Sequence, residues 1–278
     1  MTDRSPAAGD VAPGPAGGPL GLLLPAASLW RREMVRFFRQ RSRVIGSLAT
    51  PLLFWLLFST GYGPSFRPPG AEGADAFSYV YFFPGTVALI ILFTAIFANI
   101  SVIEDRREGF LQAVLVAPVP RSGIVLGKVL GGATVASVQG IGFLAIARFS
   151  GLDVPLTSPG VAVAAVVLLS LALTALGFAF AWRLDSVQAF HAVMNFVLMP
   201  MWLLSGSLFP ASGTPGVLRA LVAANPVSYG LAFLRHGLGV ATPDLPSLAV
   251  SGSVTAAFAG IAFLAAVGIA SRRTPTGS

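Results

Sequence analysis

The chain has 278 residues, of which 55% are hydrophobic and 10% charged, and its mean hydropathy is +0.79. Soluble proteins carry about a quarter charged residues, so this composition predicts a membrane protein and excludes an ordinary soluble domain. The sequence has no cysteine, which excludes disulfides and thiolate metal sites, and its two histidines, His191 and His236, are too far apart to suggest a metal centre.

The first elements are a tail and an amphipathic helix. Residues 1–27 are rich in proline and glycine and show no apolar period, so we predict a disordered tail. Residues 28–43, SLWRREMVRFFRQRSR, are predicted to form a helix that lies in the headgroup layer, with Ser28 as its N-cap. Its role is either a topology anchor or a lever that joins the first span to a cytoplasmic partner. One face carries Trp30, Met34, Phe37 and Phe38, and the other carries Arg32, Arg36, Arg39 and Arg43.

Six segments are long and apolar enough to cross a bilayer, for which about 20 residues are needed. They predict an all-α polytopic membrane protein. None of them contains an aspartate or glutamate, which disfavours a proton- or sodium-coupled transporter. If the chain transports a substrate, we expect the energy to come from another chain. The predicted spans are residues 44–62, 80–103, 124–147, 161–182, 190–209 and 248–270.

The basic residues predict the orientation of these spans. With the N-terminus in the cytoplasm, fourteen lysines and arginines fall on the inner side and four on the outer side. This distribution follows the positive-inside rule and predicts that both termini are cytoplasmic. Membrane topology therefore accounts for the net charge of +7, and no nucleic-acid partner is expected.

A cytoplasmic loop, predicted at residues 104–123, joins spans two and three. Glu104 and Glu108 lie on one helical face, and Arg107 is placed to pair with Glu104. The apolar patch FLQAVLVA follows, and Pro118 is predicted to end its helix. Several large apolar side chains exposed together require a cover. The patch either folds back on its own bundle or docks in a partner's groove, and we favour docking.

The stretch SGIVLGKV, residues 122–129, leads into span three and resembles a phosphate-binding loop but lacks its first glycine and its final Ser or Thr. We predict instead that the glycines at every fourth position, Gly123, Gly127 and Gly131, form a stripe for close helix packing. We call these three residues the glycine stripe. The sequence shows no Ser/His/Asp set and no carboxylate pair, so we expect no catalytic residues and no enzymatic activity in this chain.

The segment 210–247 contains two helix-start signals, Thr214-Pro215 and Asn225-Pro226. The apolar stretches that follow are too short to span a bilayer. Two short helices are predicted here, and they either dip into the outer leaflet or pack on the surface of the bundle.

Several short motifs follow one another along these spans. They are EDRREG at 104–109, the stretch 111–118 with Pro120-Arg121 after it, Ser205-Gly206 with Phe209-Pro210, and Asn225-Pro226-Val227-Ser228-Tyr229 with Leu234-Arg235 beyond. In this order and spacing, residues 30–273 resemble the ABC-2 type transporter permeases, the membrane subunits of bacterial ABC exporters. The resemblance is strongest to the drug-resistance and lipo-oligosaccharide export branch.

The resemblance implies that the loop after span two holds a coupling helix that fits a separate ATP-binding subunit, which carries ATP and Mg²⁺. Glu104 matches the family's acidic position, whereas Asp105 lengthens the family's charged run by one residue. The amphipathic helix would be the family's connecting helix, and 210–247 its outward re-entrant helices. A working exporter would contain two permeases and two ATPases in the inner membrane.

We therefore expect an export permease for an amphipathic, drug-like or lipid-linked cargo. Its partners would be an ATP-binding subunit, a second copy or a paralogous permease, and membrane lipids. Two rivals stay open: a membrane anchor that docks a non-ATPase partner, and a passive channel or secondary transporter. The expected coupling residues are Glu104, Arg107, Glu108, Phe110, Leu111, Val114 and Leu115; the outer gate is Asn225, Pro226 and Tyr229; the translocation path is Phe93, Asn99, Asn195 and Met199.

Overall fold

The computed structural model describes residues 19–61, 74–116, 119–149, 154–209, 215–240, 242 and 245–272. The predicted all-α architecture is confirmed, because the elements found there are helices. In chain order they are α1 (Pro19–Arg39), α2 (Arg41–Gly61), α3 (Ala74–Arg107), α4 (Phe110–Val116), α5 (Arg121–Phe149), α6 (Pro159–Ala181), α7 (Val187–Trp202) with a π-helical turn (Leu203–Ser207), α8 (Gly216–Ala224), α9 (Pro226–Leu238) and α10 (Leu248–Ser271).

Six of these helices, α2, α3, α5, α6, α7 and α10, are long and apolar enough to cross a membrane, as predicted. The helix α3 is buried along most of its length and packs against α2, α5, α6 and α7. In contrast, α2, α7 and α10 lie at the periphery, where most of their side chains are exposed or half-buried.

Interhelical hydrogen bonds supplement apolar packing in the middle of the bundle, where lipid provides little hydrophobic drive for helix association. Asn99 of α3 donates to the Thr174 carbonyl of α6 at 3.1 Å. Gln139 of α5 accepts hydrogen bonds through Oε1 from Ser47 of α2, at 3.1 Å, and from Thr94 of α3. These bonds tie the peripheral α2 and the central α3 to their neighbours.

The predicted boundary between the tail and the amphipathic helix is wrong. The helix α1 begins at Pro19, includes Pro25 and ends at Arg39, so Ser28 lies inside it and is not its N-cap. Gln40 interrupts the helix, and Arg43 belongs to α2. Packing of α1 on α5 outweighs the helix-breaking tendency of Pro25. Residues 1–18 of the predicted N-terminal tail lie outside the described residues, and so does the C-terminal tail predicted at 274–278.

The predicted loop 104–123 is also largely helical. The helix α3 continues through Glu104 to Arg107, a turn at Gly109 (φ 78°) leads into α4, and α5 starts at Arg121. The charged residues at the end of α3 extend the helix because they find partners on α1 and α2. Pro118, the predicted helix terminator, lies outside the described residues.

Two short helices occupy the segment after α7, and α8 and α9 meet at an angle of 77°. Asn225 caps α9 as predicted, because its side chain accepts a hydrogen bond from the Val227 N–H at 3.1 Å and Pro226 occupies the first helical position. Thr214 lies outside the described residues, and Pro215 precedes α8 without a side-chain cap.

Candidate functional site

Charged side chains from four helices meet at the end of the bundle where α3 ends and α5 begins. Four basic and four acidic groups form ion pairs with N···O distances below 4 Å, and the pairs share members, so that they form one connected set. The charges of the set balance. We call this set the ion cluster, and the end of the bundle that holds it the cluster end. Its members are Arg32, Glu33 and Arg36 of α1, Arg43 of α2, Glu104 and Asp105 of α3, Glu108 after α3, and Lys128 of α5.

Asp105 lies at the centre of the ion cluster and its side chain is completely buried. Arg32 donates two hydrogen bonds to it, at 2.7 Å to Oδ2 and 2.6 Å to Oδ1. Arg36 and Lys128 also donate to this carboxylate. The hydrogen bond to Asp105 raises the pKa of Arg32 above its usual value, against the opposing effect of burial. This bidentate geometry is the strongest form of such a pair and fixes α1 on α3.

A second buried pair joins α1 to α5. Lys128 Nζ lies 2.6 Å from Glu33 Oε1, and Ser101 of α3 donates to the other Glu33 oxygen at 2.6 Å. Both charged side chains are nearly inaccessible to solvent. Because a buried charge without its partner is strongly destabilising, Glu33 and Lys128 depend on each other.

Glu104 reaches a different set of partners from the one predicted. It accepts hydrogen bonds from Arg36 at 2.8 Å and Arg43 at 2.5 Å, so it holds α1 and α2 to α3. The part of the chain that the structure describes contains no ion pair between Glu104 and Arg107, whose side chain is exposed. Glu108 is largely exposed and approaches Arg36 only to 3.8 Å.

The glycine stripe faces α1, which packs along the first turns of α5. A Cβ atom at Gly127 would lie 2.6 Å from the Ala26 carbonyl oxygen. At Gly131 it would lie 2.7 Å from Cβ of Glu33. A larger residue would therefore push α1 away, and the close approach is what brings Glu33 within reach of Lys128.

The predicted apolar face of α1 is divided between two environments. Phe37 is buried, whereas Trp30 and Phe38 are exposed and Met34 is intermediate. Leu29, Glu33 and Phe37 form the buried side, which explains why a simple separation of aromatic and basic faces was misleading. On the predicted basic face, Arg39 alone stays exposed, because the other three arginines join the ion cluster.

The helix α4 lies next to the ion cluster and has two unlike sides. Leu111 is buried in the core, Val114 is partly buried, and Phe110 lies under the Arg32 guanidinium with 3.7 Å between the arginine Cζ and the ring centroid. On the other side Leu115 and Val116 are exposed, Val116 to 87%. One side of the patch thus folds back on the bundle, and the other is left uncovered.

Two further arginines stabilise the cluster end. Arg106 donates to the carbonyls of Ala181 and Leu184, both at 3.3 Å, and pairs with Asp185 at 3.1 Å, which holds the turn between α6 and α7. Arg121 donates to the carbonyl oxygens at the end of α10, including that of Ala270 at 2.9 Å. The ends of these helices are therefore fixed by their carbonyl groups.

At the opposite end of α3, the predicted gate residues bind main-chain groups. Asn225 donates to the Met201 carbonyl at 2.6 Å, and Tyr229 donates to the Ala223 carbonyl at 2.9 Å. Pro226 starts α9 between them. These contacts join α8, α9 and the end of α7. We call this the α8–α9 end.

The four residues predicted to line a path lie in different environments. Asn99 is buried and its amide group is bonded to the Ala95 and Thr174 carbonyls. Asn195 is exposed on α7, while Phe93 and Met199 are intermediate. Among the described residues, no three histidine, aspartate or glutamate side chains form a group that would hold a metal ion.

Comparison with known proteins identifies the family. The model of the ABC-2 type transporter family matches residues 26–238. The chain belongs to the ABC-2 type transporter family. It is 30% identical over 235 residues to the inner membrane transport permease YadH of Escherichia coli K12, covering 81% of this chain and 86% of that protein. It is 27% identical over 229 residues to Nodulation protein J of Rhizobium leguminosarum bv. viciae, covering 81% and 84%.

Membership makes the chain a transmembrane transport permease, as the resemblance indicated, and implies association with an ATP-binding subunit. The apolar helices and the inner-membrane relative place this permease as a multi-pass protein in the inner membrane. The family is one of transport permeases, which typically are not themselves catalytic.

Sequence reasoning missed Glu33, Asp105 and Lys128 as members of one site. Two signals were present: Glu33 is an acidic residue inside an arginine-rich helix, and Lys128 is the chain's one lysine and lies within a predicted span. Ionisable groups at such positions require partners. The sequence does not reveal which partners they have, because that depends on how α1 packs against α5.

Proposed function

We propose that this permease is the membrane subunit of an ATP-driven exporter and that the exposed side of α4 docks on a separate ATP-binding subunit. The observation that carries the proposal is the position of α4, whose outer side is uncovered and whose inner side touches the ion cluster. Leu115 and Val116 together expose apolar surface at the cluster end. Each large apolar side chain left in water forgoes about 1.5–3 kcal/mol of burial, which favours a partner that covers them.

Arg32 links α4 mechanically to the membrane helices. Its guanidinium group lies over the Phe110 ring and donates to Asp105. A displacement of α4 by the partner therefore acts on Arg32, and through it on α1 and α3. Glu104 continues the connection to α2 through Arg43. These contacts support Glu104 and Phe110 in the coupling role, with Glu104 inside the permease rather than at the surface of the partner.

ATP and Mg²⁺ would bind to the partner subunit in this proposal. The stretch 122–129 that resembles a phosphate-binding loop lies inside α5, with its backbone in a continuous helix. A phosphate-binding loop needs free backbone N–H groups to surround the phosphates. Beyond the first turn of α5, helical N–H groups are used in the helix's own hydrogen bonds, which supports a separate site for ATP.

A second permease would complete the path. Asn195 is exposed near the middle of the span formed by α7 and its π-helical turn, and Phe196 beside it is 82% exposed. A polar amide facing lipid without a partner is unfavourable. We propose that this face of α7 meets a second copy or a paralogous permease. Asn195 and Met199 would then line the path between the subunits, whereas Asn99 would serve helix packing.

The proposed direction is export, with both termini and the cluster end in the cytoplasm and α8–α9 as re-entrant helices at the outer side. The excess of arginine at the cluster end supports this orientation. The proposed cargo is amphipathic, drug-like or lipid-linked, because the spans are apolar and carry few charges. Multidrug resistance would be one consequence of such a cargo range.

Affinity purification of the detergent-solubilised permease from its host, followed by an ATPase assay on the eluate, tests the docking surface. We expect the wild type to recover an ATP-binding subunit and its ATPase activity. The double variant Leu115→Asp, Val116→Asp should lose both, because it places two carboxylates in an apolar contact.

Val217→Asp is the matched control, since Val217 is 78% exposed on α8, at the other end of the bundle. It should recover the ATPase as the wild type does. Recovery of the ATPase by the α4 double variant would exclude this docking surface. A wild type that recovers no ATPase would remove the energy source and favour the anchoring alternative.

A further inference from the structure

A cavity of about 230 Å³ opens at the α8–α9 end. Its walls come from α8, α9, the π-helical turn and three residues that precede α10, namely Thr242, Leu245 and Pro246. The predicted gate residue Tyr229 lies in its wall, but no ligand has been assigned to this space. Residues that line it include Gly206, Arg219, Ala223, Tyr229, Arg235 and Leu245.

Arg235 dominates the chemistry of the cavity. It is 5% exposed, and its Nη2 donates to the Gly206 carbonyl at 2.7 Å. Its guanidinium carbon lies 5.0 Å from the centre of the Tyr81 ring. The buried Nε has no hydrogen-bond partner, and none of the ion pairs found in the described part of the chain includes Arg235. A buried guanidinium with an unused donor is unfavourable unless an acceptor occupies the space beside it.

Three of the hydroxyl groups around the cavity are already committed as donors. Ser205 donates to the Trp202 carbonyl at 2.6 Å, Ser228 to the Leu204 carbonyl at 3.3 Å, and Tyr229 to the Ala223 carbonyl. Among the lining groups, Arg235 is therefore the buried charged donor that has an unused N–H group. Such a lining fits a negatively charged acceptor and does not fit a cation.

We propose that this cavity binds a phosphate-type oxyanion through Arg235. Arginine presents a planar fork of N–H donors that matches phosphate oxygens. The volume is far above the about 10–15 Å³ that one water molecule needs, but below the ~300–1,000 Å³ of sites for drug-sized ligands. It therefore suits a phosphate group and its immediate substituent rather than a whole cargo molecule.

The same chemistry has two sources, a free phosphate and the phosphodiester of a lipid headgroup, and the experiment separates them. In the first arm, inorganic phosphate is titrated calorimetrically into the full-length permease in a neutral detergent and phosphate-free buffer. In the second arm, the permease is reconstituted in phosphatidylcholine vesicles that contain phosphatidylglycerol. Lipid retained after extraction is then identified by native mass spectrometry.

We expect saturable binding in at least one arm by the wild type. Arg235→Lys keeps the charge but loses the fork of donors, and should bind about tenfold more weakly. Ala223→Phe fills the cavity from the exposed helix α8 without changing any charge, and should abolish binding. Arg183→Gln removes an exposed arginine outside the cavity and should bind as the wild type does.

Binding in the first arm alone assigns a free oxyanion, and binding in the second assigns a lipid headgroup; both support the site. Wild-type binding in neither arm, or equal binding by Ala223→Phe, would overturn the proposal. Asp244, which follows Thr242 by two positions in the sequence, lies outside the described residues, and Asp244→Asn supplies the last control. Phosphate binding that appears only in Asp244→Asn would show that the chain's own carboxylate fills the cavity, which also overturns the proposal.

Discussion

Glu33 of α1 and Lys128 of α5 form a salt bridge of 2.6 Å between Oε1 and Nζ, and both side chains are almost completely buried. The pair links a helix that precedes the first span to the third span of the bundle. Glu33 also accepts a hydrogen bond from Ser101, and Lys128 also donates one to Asp105. It follows that α1 is an integral part of the bundle and is not held by lipid alone.

Lys128→Met tests the dependence of the ion cluster on its one lysine. The variant leaves Glu33 buried with Arg32, at 3.7 Å, as its remaining ion-pair partner in the described chain. We expect a loss of stability of about 3–5 kcal/mol, measured as a lower melting temperature in detergent. The double variant Lys128→Met, Glu33→Gln should lose less than the sum of the two single variants. Additive losses would show that the two side chains do not interact.

Gly127→Leu tests the packing of α1 on α5. Its side chain would collide with the Ala26 carbonyl, so we expect α1 to detach. Trypsin cleavage after Arg39 should become faster and the melting temperature should fall. Gly142→Leu is the matched control on the same helix, because no atom lies within 4 Å of a Cβ at Gly142. Equal cleavage rates for the two variants would contradict the close contact.

Gly206→Ala tests the π-helical turn at the end of α7. Gly206 has φ 81° and ψ 15°, a left-handed conformation that costs other residues about 1–2 kcal/mol. We expect the melting temperature to fall accordingly. Gly260→Ala, inside α10 with open space around it, should leave stability unchanged or raise it. A stable Gly206→Ala variant would mean that the turn adopts another conformation.

Glu104→Ala tests coupling, because Glu104 joins α1 and α2 to α3. We expect normal membrane insertion and retained ATP hydrolysis by the complex, with a several-fold loss of export, followed as efflux of an amphipathic dye. Glu108→Ala is the control, since Glu108 is mostly exposed and only approaches Arg36. Unchanged export by Glu104→Ala would remove Glu104 from the coupling role.

Asn195→Cys tests the face of α7 assigned to a second permease. The natural sequence contains no cysteine, so a disulfide between two copies reports this contact directly. We expect oxidation to yield a cross-linked dimer on a denaturing gel. Leu264→Cys on the exposed side of α10 should remain monomeric. Cross-linking through Leu264→Cys alone would move the interface to α10.

The fold was largely predictable because each span is a long apolar segment. In the bilayer such a segment forms a helix, because a helix satisfies its own backbone hydrogen bonds. The cap of α9 was also predictable, since Asn225-Pro226 is a local signal. The start of α1 was not. It depends on packing against the glycines of α5, which lie about a hundred residues away in sequence.

The candidate site was predictable in composition but not in pairing. The charged run and the short patch were visible in the sequence, and α4 forms where the patch was found. However, the expected partner of Glu104 was Arg107, one turn away, and the actual partners come from α1 and α2. The spacing along one helix predicts only partners on that helix, whereas the packing of α1 and α2 on α3 brings arginines from those helices close to Glu104.

The helix α3 contributes residues both to the ion cluster and to the surroundings of the Arg235 cavity. Asp105 lies near its last turn, and Tyr81, which donates to the Gly206 carbonyl beside Arg235, lies near the other end. At 1.5 Å per residue the two positions are about 36 Å apart. Because the middle of α3 is enclosed by its neighbours, that middle would be the pivot of any tilt of the helix. A tilt imposed on Asp105 from one side of the membrane would swing Tyr81 the opposite way on the other side.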